Sequence, residues 1–547
     1  MPSAGPDLST SDLPTFGGLV LLAAAIGLLA VLSNRLSERV RVPTPLLFLV
    51  AAALGAHLIS ALDDVPHRSI ERLVTVALAV ILFDGGMRIG WPRMRSALGP
   101  VVAVGVVGTF LTTLALAVLA HVALGLDWWV ALLVGTAIAP TDPAVIFSVL
   151  GQREPAGRSG TILEGESGVN DPVGIALMVG LLSAGGVSAG ALSGVAGDFA
   201  LQMAVGGAVG LLGGRALLAF MRRVALPSEG LYPLRTLSGG LVVFGAATVL
   251  SGSGFLAVFV AGLLLGDARA PYKGEIERFH SALASLGEIV AFLALGLTID
   301  LATLSRTDVW APGLLIGATL AFVVRPVLIG VCLLPFDLSS RERGFVLWAG
   351  LKGAVPLLLG SFLLGQIPDG ERWYGVVVVA VVFSVLVQGS SITAAARLLR
   401  IPMRIIEPEP WDLSVRVRDE PDSVHRFTVE AGSPADGAPI ADVAEISDDV
   451  WVSFVFRQAQ LLRVRGDTQL LAGDEVLVLA SQDMRDRLMT GEISARRHGR
   501  RGARSPAPAG AAAGAHVPPV EPPRKEQPLP PRLAGTRQSH APQTRRR

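Results

Sequence analysis

Apolar stretches near 20 residues, long enough to cross a hydrocarbon core as a helix, recur from Phe16 to Leu398. They fall at 16–33, 45–62, 71–88, 99–120, 128–150, 162–184, 194–219, 234–251, 254–267, 282–300, 309–335, 344–364 and 374–398, which predicts thirteen membrane-spanning helices. The short windows 234–251 and 254–267 are divided by a tight turn, Ser251-Gly252-Ser253-Gly254. Beyond Arg400 the pattern changes to short alternating runs such as Val450–Phe456 and Glu475–Leu479, with turns at Gly466-Asp467 and Gly473-Asp474. That alternation predicts a small β-rich domain over residues 411–490.

The polar connections orient the spans. Those after odd-numbered spans carry Arg35, Arg39 and Arg41, then Arg88, Arg93 and Arg95, then Arg153 and Arg158, and the later ones continue with Arg222, Arg223, Arg269, Lys273, Arg278, Arg341 and Arg343. Those after even-numbered spans are poor in Lys and Arg. The excess of basic loops on one side predicts an N-terminus outside, a C-terminus in the cytoplasm, and residence in the cell membrane as a multi-pass protein. Residues 1–15 form a polar outer segment lacking Lys and Arg, so they miss the charged start of a cleaved signal peptide. Residues 491–547 are rich in Arg, Pro and Ala with few large apolar side chains, a composition expected to stay disordered.

Composition agrees with a lipid-solvated chain. Of 547 residues, 51% are apolar and 17% charged, against about a quarter charged in soluble domains. The formal charge of +1 argues against nucleic acid as a partner. Cys332 is the single cysteine, so no disulfide framework holds the fold.

Against this apolar background, ionisable residues inside spans stand out, because each costs about 2.5–3.5 kcal/mol to insert and is kept where it binds or moves something. Span six carries Glu166-Ser167-Gly168-Val169-Asn170-Asp171-Pro172. Glu166 and Asn170 are four apart, as are Ser167 and Asp171, so they share neighbouring strips of one helix face. Pro172 removes a backbone donor and is expected to loosen the ladder behind it. Span five is interrupted by Pro140-Thr141-Asp142-Pro143, and span twelve by Gly350–Pro356, which contains Lys352. Interrupted spans at matching places in two halves predict an inverted repeat with a binding site at the midplane. Hard monovalent cations take oxygen ligands, and Asp171, Asp142, Ser167 and Thr141 offer them. Desolvation penalises a bare carboxylate, so Asp171 is expected to hold either a proton or a metal cation. Arg325 and Lys352 need partners at this depth, and Glu166 is the natural one for either. Asp84 lies near a cytoplasmic helix end and reads equally as a cap or as part of a site. Taken singly, Asn170, Ser167 and Thr141 could equally serve as interhelical hydrogen-bonding groups.

These segments resemble the NhaP branch of the monovalent cation:proton antiporters, most closely the potassium/proton antiporters called cell volume regulation protein A. The likeness rests on Leu78–Met87 (LAVILFDGGM), Pro140–Leu150 (PTDPAVIFSVL), Gly160–Pro172 (GTILEGESGVNDP), Val324-Arg325-Pro326 and Gly350–Pro356 (GLKGAVP). It implies an all-α membrane domain over residues 16–400 with two broken, crossing helices. It implies that Asp171 binds cation and proton, with Asn170, Glu166, Arg325 and Lys352 organising the site. Lys352 stands where that family usually has arginine, and a lysine lacks the bidentate fork. Residues 424–490 look like the α+β TrkA-C module of potassium-conductance regulators, which implies a small nucleotide as its ligand. A homodimer and electroneutral exchange, marked by the Asn-Asp pair, are further implications.

The function expected is a secondary antiporter exchanging cytoplasmic K+ or Na+ for an external H+, with those ions as substrates and no cofactor. No GxxxxGK phosphate loop is present for nucleotide-driven transport, and no His-rich metal motif or nucleophile elbow near the cytoplasmic interface suggests an enzyme. The alternatives are an electrogenic exchanger of the same fold and a gated cation channel with a cytoplasmic regulatory domain. A channel would want a carbonyl-lined filter such as TVGYG, which this chain lacks.

Overall fold

The computed structural model describes residues 43–58, 66–150, 153–155, 157–268, 270–405, 424–433, 435–440, 451–457, 460–462 and 464–479, with isolated positions 17, 21 and 28. The first predicted span, the outer segment 1–15 and the basic tail lie outside these residues apart from those isolated positions. The chain divides into two compact units, Met1–Pro408 and Glu409–Arg547.

In the first unit the helices fall on the remaining windows: α1 (Thr44–Leu58), α2 (His67–Ile89), α3 (Trp91–Leu124), α4 (Trp128–Ile138), α5 (Ala144–Leu150), α6 (Arg158–Ala184), α7 (Ala189–Arg223), α8 (Leu231–Val249), α9 (Gly254–Gly266) and α10 (Lys273–Gly296). They continue with α11 (Leu301–Leu304), α12 (Thr307–Cys332), α13 (Ser340–Trp348), α14 (Ala354–Ser361) and α15 (Gly370–Leu398). Among the described residues six helices, α3, α6, α7, α10, α12 and α15, are each long and apolar enough to cross a membrane, and α1, α4 and α9 are shorter apolar helices. Helical form is dictated here: hydrocarbon offers no partner for backbone N–H and C=O groups, so each span must satisfy its own.

Local residues set several starts. Asp127 accepts from Trp129 N at the head of α4, and Ser253 from Leu256 N at the head of α9. Ser339 and Glu342 form a reciprocal capping box on α13. Three helices carry π-helical turns: Ala103–Gly108 in α3, Leu320–Ile329 in α12 and Val385–Gly389 in α15. Such widened turns often mark functional places, and the one in α12 contains Arg325. Pro172, expected to loosen the ladder, leaves α6 continuous from Arg158 to Ala184. One missing donor is tolerated because the helix is buried against neighbours on both sides of it, with Asp171, Pro172 and Val173 all buried.

Spans five and twelve are interrupted as the Pro and Gly positions predict. Helix α4 stops at Ile138 and α5 begins at Ala144, while α13 stops at Trp348 and α14 begins at Ala354. A two-stranded antiparallel sheet pairs β1 (Arg153–Pro155) with β2 (Met403–Ile405), joining the α5–α6 connection to the segment after α15.

The second unit contains β3 (Val424–Thr428), β4 (Trp451–Arg457), β5 (Gln460–Leu462) and β6 (Glu475–Leu479), an antiparallel sheet in the order β3-β6-β4-β5. A register shift between Val452 and Phe454 bends β4 against β6. Val429, Ile440, Val455, Leu470 and Val476 form its small core. Asp474 is buried and pairs with Arg457 through two hydrogen bonds of 2.8 Å. The helical part of the expected α+β module lies outside the described residues.

Candidate functional site

The two interruptions meet each other. Asp142 N donates to Leu351 O at 2.8 Å, so the unwound backbone of one break hydrogen-bonds that of the other. Lys352 Nζ crosses back and donates to Ala139 O at 2.7 Å and Pro140 O at 3.0 Å, the carbonyls freed where α4 ends. Asp142 does the converse: Oδ1 accepts from Ala144 N at 2.8 Å and Oδ2 from Ala354 N at 3.4 Å, at the N-termini of α5 and α14. Each charge faces helix ends of opposite polarity, the arrangement that macrodipoles favour. The crossing also explains two glycines. A Cβ on Gly353 would collide with the Asp142 carboxylate, and one on Gly350 with the Arg325 guanidinium.

Glu166 is buried, and its partner is Arg325 rather than Lys352. Arg325 Nη1 donates to Oε1 at 2.8 Å and Nη2 to Oε2 at 3.0 Å. The same guanidinium donates from Nε to Leu347 O at 2.9 Å and from Nη2 to Val346 O at 3.1 Å, covering the end of α13. A planar five-donor fork can do both, whereas a lysine could not. Thr141 Oγ1 donates to Glu166 Oε1 at 3.0 Å and accepts from Asn170 Nδ2 at 2.8 Å. A chain of contacts thus runs Arg325, Glu166, Thr141, Asn170 and fixes the asparagine amide.

That chain leaves oxygens behind. Ser167 Oγ donates to Asp171 Oδ2 at 3.3 Å. Among the described residues, Asn170 Oδ1 and Asp171 Oδ1 are buried and have no hydrogen-bond partner. Two adjacent side chains with orphaned oxygens in a packed interior are expensive unless something else fills their coordination. A proton on the carboxylate or a hard cation taken up by such oxygens fits that donor set.

A cavity of about 370 Å³ reaches the site, lined by Ser167, Asp171, Asp142, Glu288, Asp84 and Arg88 among others. Asp84 is 4% exposed and pairs with Arg88 at 2.7 Å one turn along α2. Arg88 also donates to Ser281 of α10 at 2.8 Å. A second cavity of about 440 Å³, walled by Val179, Asp198, Leu201, Thr248 and Phe255, touches none of these residues.

The spatial cluster therefore contains Asp171, Asn170, Ser167, Glu166, Thr141, Asp142, Arg325 and Lys352, with Asp84 on the wall of the same cavity. Thr141 Oγ1 and both Asp142 oxygens, expected as cation ligands, already serve protein groups. Glu288 was missed, although it is an ionisable residue inside the apolar window 282–300 and the insertion-cost rule applies to it equally. Ser384 and Gln388 were missed too: Ser384 Oγ accepts from Lys352 N at 3.2 Å and donates to Gln388 Oε1, and Gln388 Nε2 donates to Trp348 O at 3.1 Å. They satisfy backbone groups of the second break, and no sequence signal separates them from ordinary interhelical contacts.

Residues 21–398 match the family described as the sodium/hydrogen exchanger, transmembrane, and residues 424–490 match the TrkA-C domain. A relative called K(+)/H(+) antiporter NhaP2, from Shewanella sp. (strain MR-4), is 33% identical over 486 residues, covering 86% of this chain and 82% of its own. The K(+)/H(+) antiporter NhaP of Alkalimonas amylolytica is 32% identical, with 84% and 80% covered. The Na(+)/H(+) antiporter NhaH of Halobacillus dabanensis is 27% identical, with 68% and 94% covered. The solved structure of the sodium proton antiporter MjNhaP1 from Methanocaldococcus jannaschii at pH 8 superposes with a TM-score of 0.57 at 23% identity, covering 68% of this chain and 99% of that one, which is a likeness of fold. With an exchanger match over most of its length and a 33% identical relative covered over 82% of its own length, this multi-pass chain belongs to the sodium/hydrogen exchanger family and carries a TrkA-C domain C-terminal to the exchanger region in sequence.

Proposed function

We propose that the protein is a cation/proton antiporter that exchanges cytoplasmic K+ for an external H+ at Asp171. The observation that carries this reading is the pair of buried oxygens, Asn170 Oδ1 and Asp171 Oδ1, left without hydrogen-bond partners, with Asp171 lining a cavity. Asp171 is the group that alternates: protonated it is neutral and fills its own valence, ionised it binds a cation with Asn170 Oδ1 as a second oxygen. Ser167 Oγ steadies the other carboxylate oxygen. Thr141, Glu166 and Arg325 hold the Asn170 amide, and Asp142 and Lys352 hold the crossing of the broken helices, so these act as supports rather than as ligands.

The cycle follows from exclusion of one occupant by the other. Asp171 gives its proton to the cytoplasm and takes a cation, the spans shift about 139–143 and 349–353, and a proton from outside displaces the cation. One carboxylate serving one ion at a time supports electroneutral exchange. Relatives called K(+)/H(+) antiporters favour K+ over Na+. The loop charges support a cytoplasmic C-terminus and an N-terminus outside. The exchanger region then spans residues 16–400 and the regulatory module 411–490, with a small nucleotide as its ligand, in a homodimer.

Everted membrane vesicles loaded with a pH-sensitive dye provide the test. Wild-type protein should move protons on addition of K+, with no response to an imposed voltage. Asp171→Asn should abolish that movement while purifying as a folded protein. Normal exchange by the variant would sink the assignment.

A further inference from the structure

Charged groups on the cavity wall can be accounted for one by one. Among the described residues they are Asp84, Arg88, Asp142, Glu164, Asp171 and Glu288. Asp84 and Arg88 neutralise each other at 2.7 Å. Asp142 is committed to two backbone N–H groups, and Glu164 is engaged by other groups of the protein. Asp171 is the exchanging carboxylate. Glu288 remains, half-buried, with no hydrogen bond or ion pair to any described residue.

Its position is informative. Ser281, Ser285 and Glu288 recur along one strip of α10; Ser281 meets Arg88 at 2.8 Å, and Ser285 and Glu288 line the cavity. At 1.5 Å of rise per residue, Glu288 lies about 10 Å further along the helix axis than Ser281. It lines the same cavity as Arg88, whose side chain is 51% exposed, and the buried Asp171. An ionisable side chain at this depth costs about 2.5–3.5 kcal/mol to insert and is kept where it binds or moves something.

We propose that Glu288 is a recruiting carboxylate: it draws the monovalent cation from the cytoplasm into the cavity and hands it to Asp171. This rests on the antiport reading above. A cleft of net negative charge with low-dielectric walls concentrates cations. Five of the six charged groups lining this one are carboxyls, Arg88 being the exception, and Glu288 adds to that charge where Asp84 is paired with Arg88. The role is one of access, so it acts on how much cation is needed and not on the exchange step itself.

The test compares wild type, Glu288→Gln, Glu288→Asp and Asp171→Asn in proteoliposomes, with K+ supplied in turn to each face and inert choline salt varied. Glu288→Gln should raise the apparent KM for K+ on the cytoplasmic face by about three- to tenfold, with kcat changed by less than about twofold. The KM on the other face should stay put, Glu288→Asp should restore most of the affinity, and added choline salt should raise KM in wild type more than in the glutamine variant. An unchanged KM in Glu288→Gln, or equal changes on both faces, overturns the proposal. Should Glu288→Gln fail to purify as folded protein, the aspartate variant decides, because a recruiting charge survives that change and a packing contact to the longer side chain does not. Absence of K+-driven proton movement in wild type, or its persistence in Asp171→Asn, would instead sink the antiport reading.

Discussion

Replacing Arg325 with methionine removes the hub of the buried network while keeping a long apolar stem. The guanidinium is 5% exposed and makes four hydrogen bonds, two to a carboxylate that is 2% exposed and two to the last carbonyls of α13. Stripping one partner from a buried ion pair costs about 3–5 kcal/mol, since the other charge is left uncompensated. Each orphaned carbonyl adds about 1–3 kcal/mol. Against a total stability of about 5–15 kcal/mol, Arg325→Met should leave the fold marginal. Glu166→Gln alone should also cost about 3–5 kcal/mol, because Arg325 is then the stranded charge. The double variant strands neither charge, so its loss should fall short of the sum of the singles by at least about 1.5 kcal/mol, in the range measured for close charge pairs. Equilibrium unfolding of all four proteins in mixed micelles gives that cycle. If the double variant's loss equals the sum within about 0.5 kcal/mol, as for independent sites, the two residues are not coupled and the network described above is wrong.

Lys352→Met should leave Ala139 O and Pro140 O without a donor at the end of α4, costing about 1–3 kcal/mol for each orphaned acceptor, and should lower the apparent melting temperature in detergent together with exchange. In the second unit, the Arg457 hydrogen bonds hold the Asp474 carboxyl below the usual carboxylate range. A depressed native value means that the pair's stabilisation is complete above the unfolded value of about 3.9 and is lost as pH falls through the lower native one. β-Sheet signal from that unit should therefore hold from neutrality to about pH 5 and weaken on further acidification, and Asp474→Asn should show a smaller loss over the same range.

Much of the membrane fold was legible because the bilayer asks one simple thing of a sequence. A span must be about 20 apolar residues that satisfy their own backbone, and windows from 45–62 to 374–398 show it. The breaks were legible for a related reason: Pro140 and Pro143 cannot donate to a ladder and Gly350 and Gly353 weaken one. The helices are interrupted at 139–143 and 349–353, with Pro356 tolerated in the first turn of α14. Pro172 obeys the same rule locally, yet α6 runs through it, since packing outweighs one missing donor. The i,i+4 spacing put Ser167 beside Asp171, and a 3.3 Å contact joins them.

What spacing could not supply is any pairing between distant positions. Glu166 had two cations to choose from, and Arg325, 159 positions away, takes it. Lys352 goes instead to the carbonyls that end α4. Thr141 and Asp142 look like ligands in sequence, and in the fold their oxygens also hold Glu166, Asn170 and two helix ends. The sequence by itself determined the spans, their interruptions and the stock of buried charges, because those follow from local solvation and backbone geometry. Only the tertiary structure decided which charge meets which, and hence which oxygens stay open at Asn170 and Asp171, because hydrogen bonds are claimed by whatever group the packed helices bring within about 3 Å.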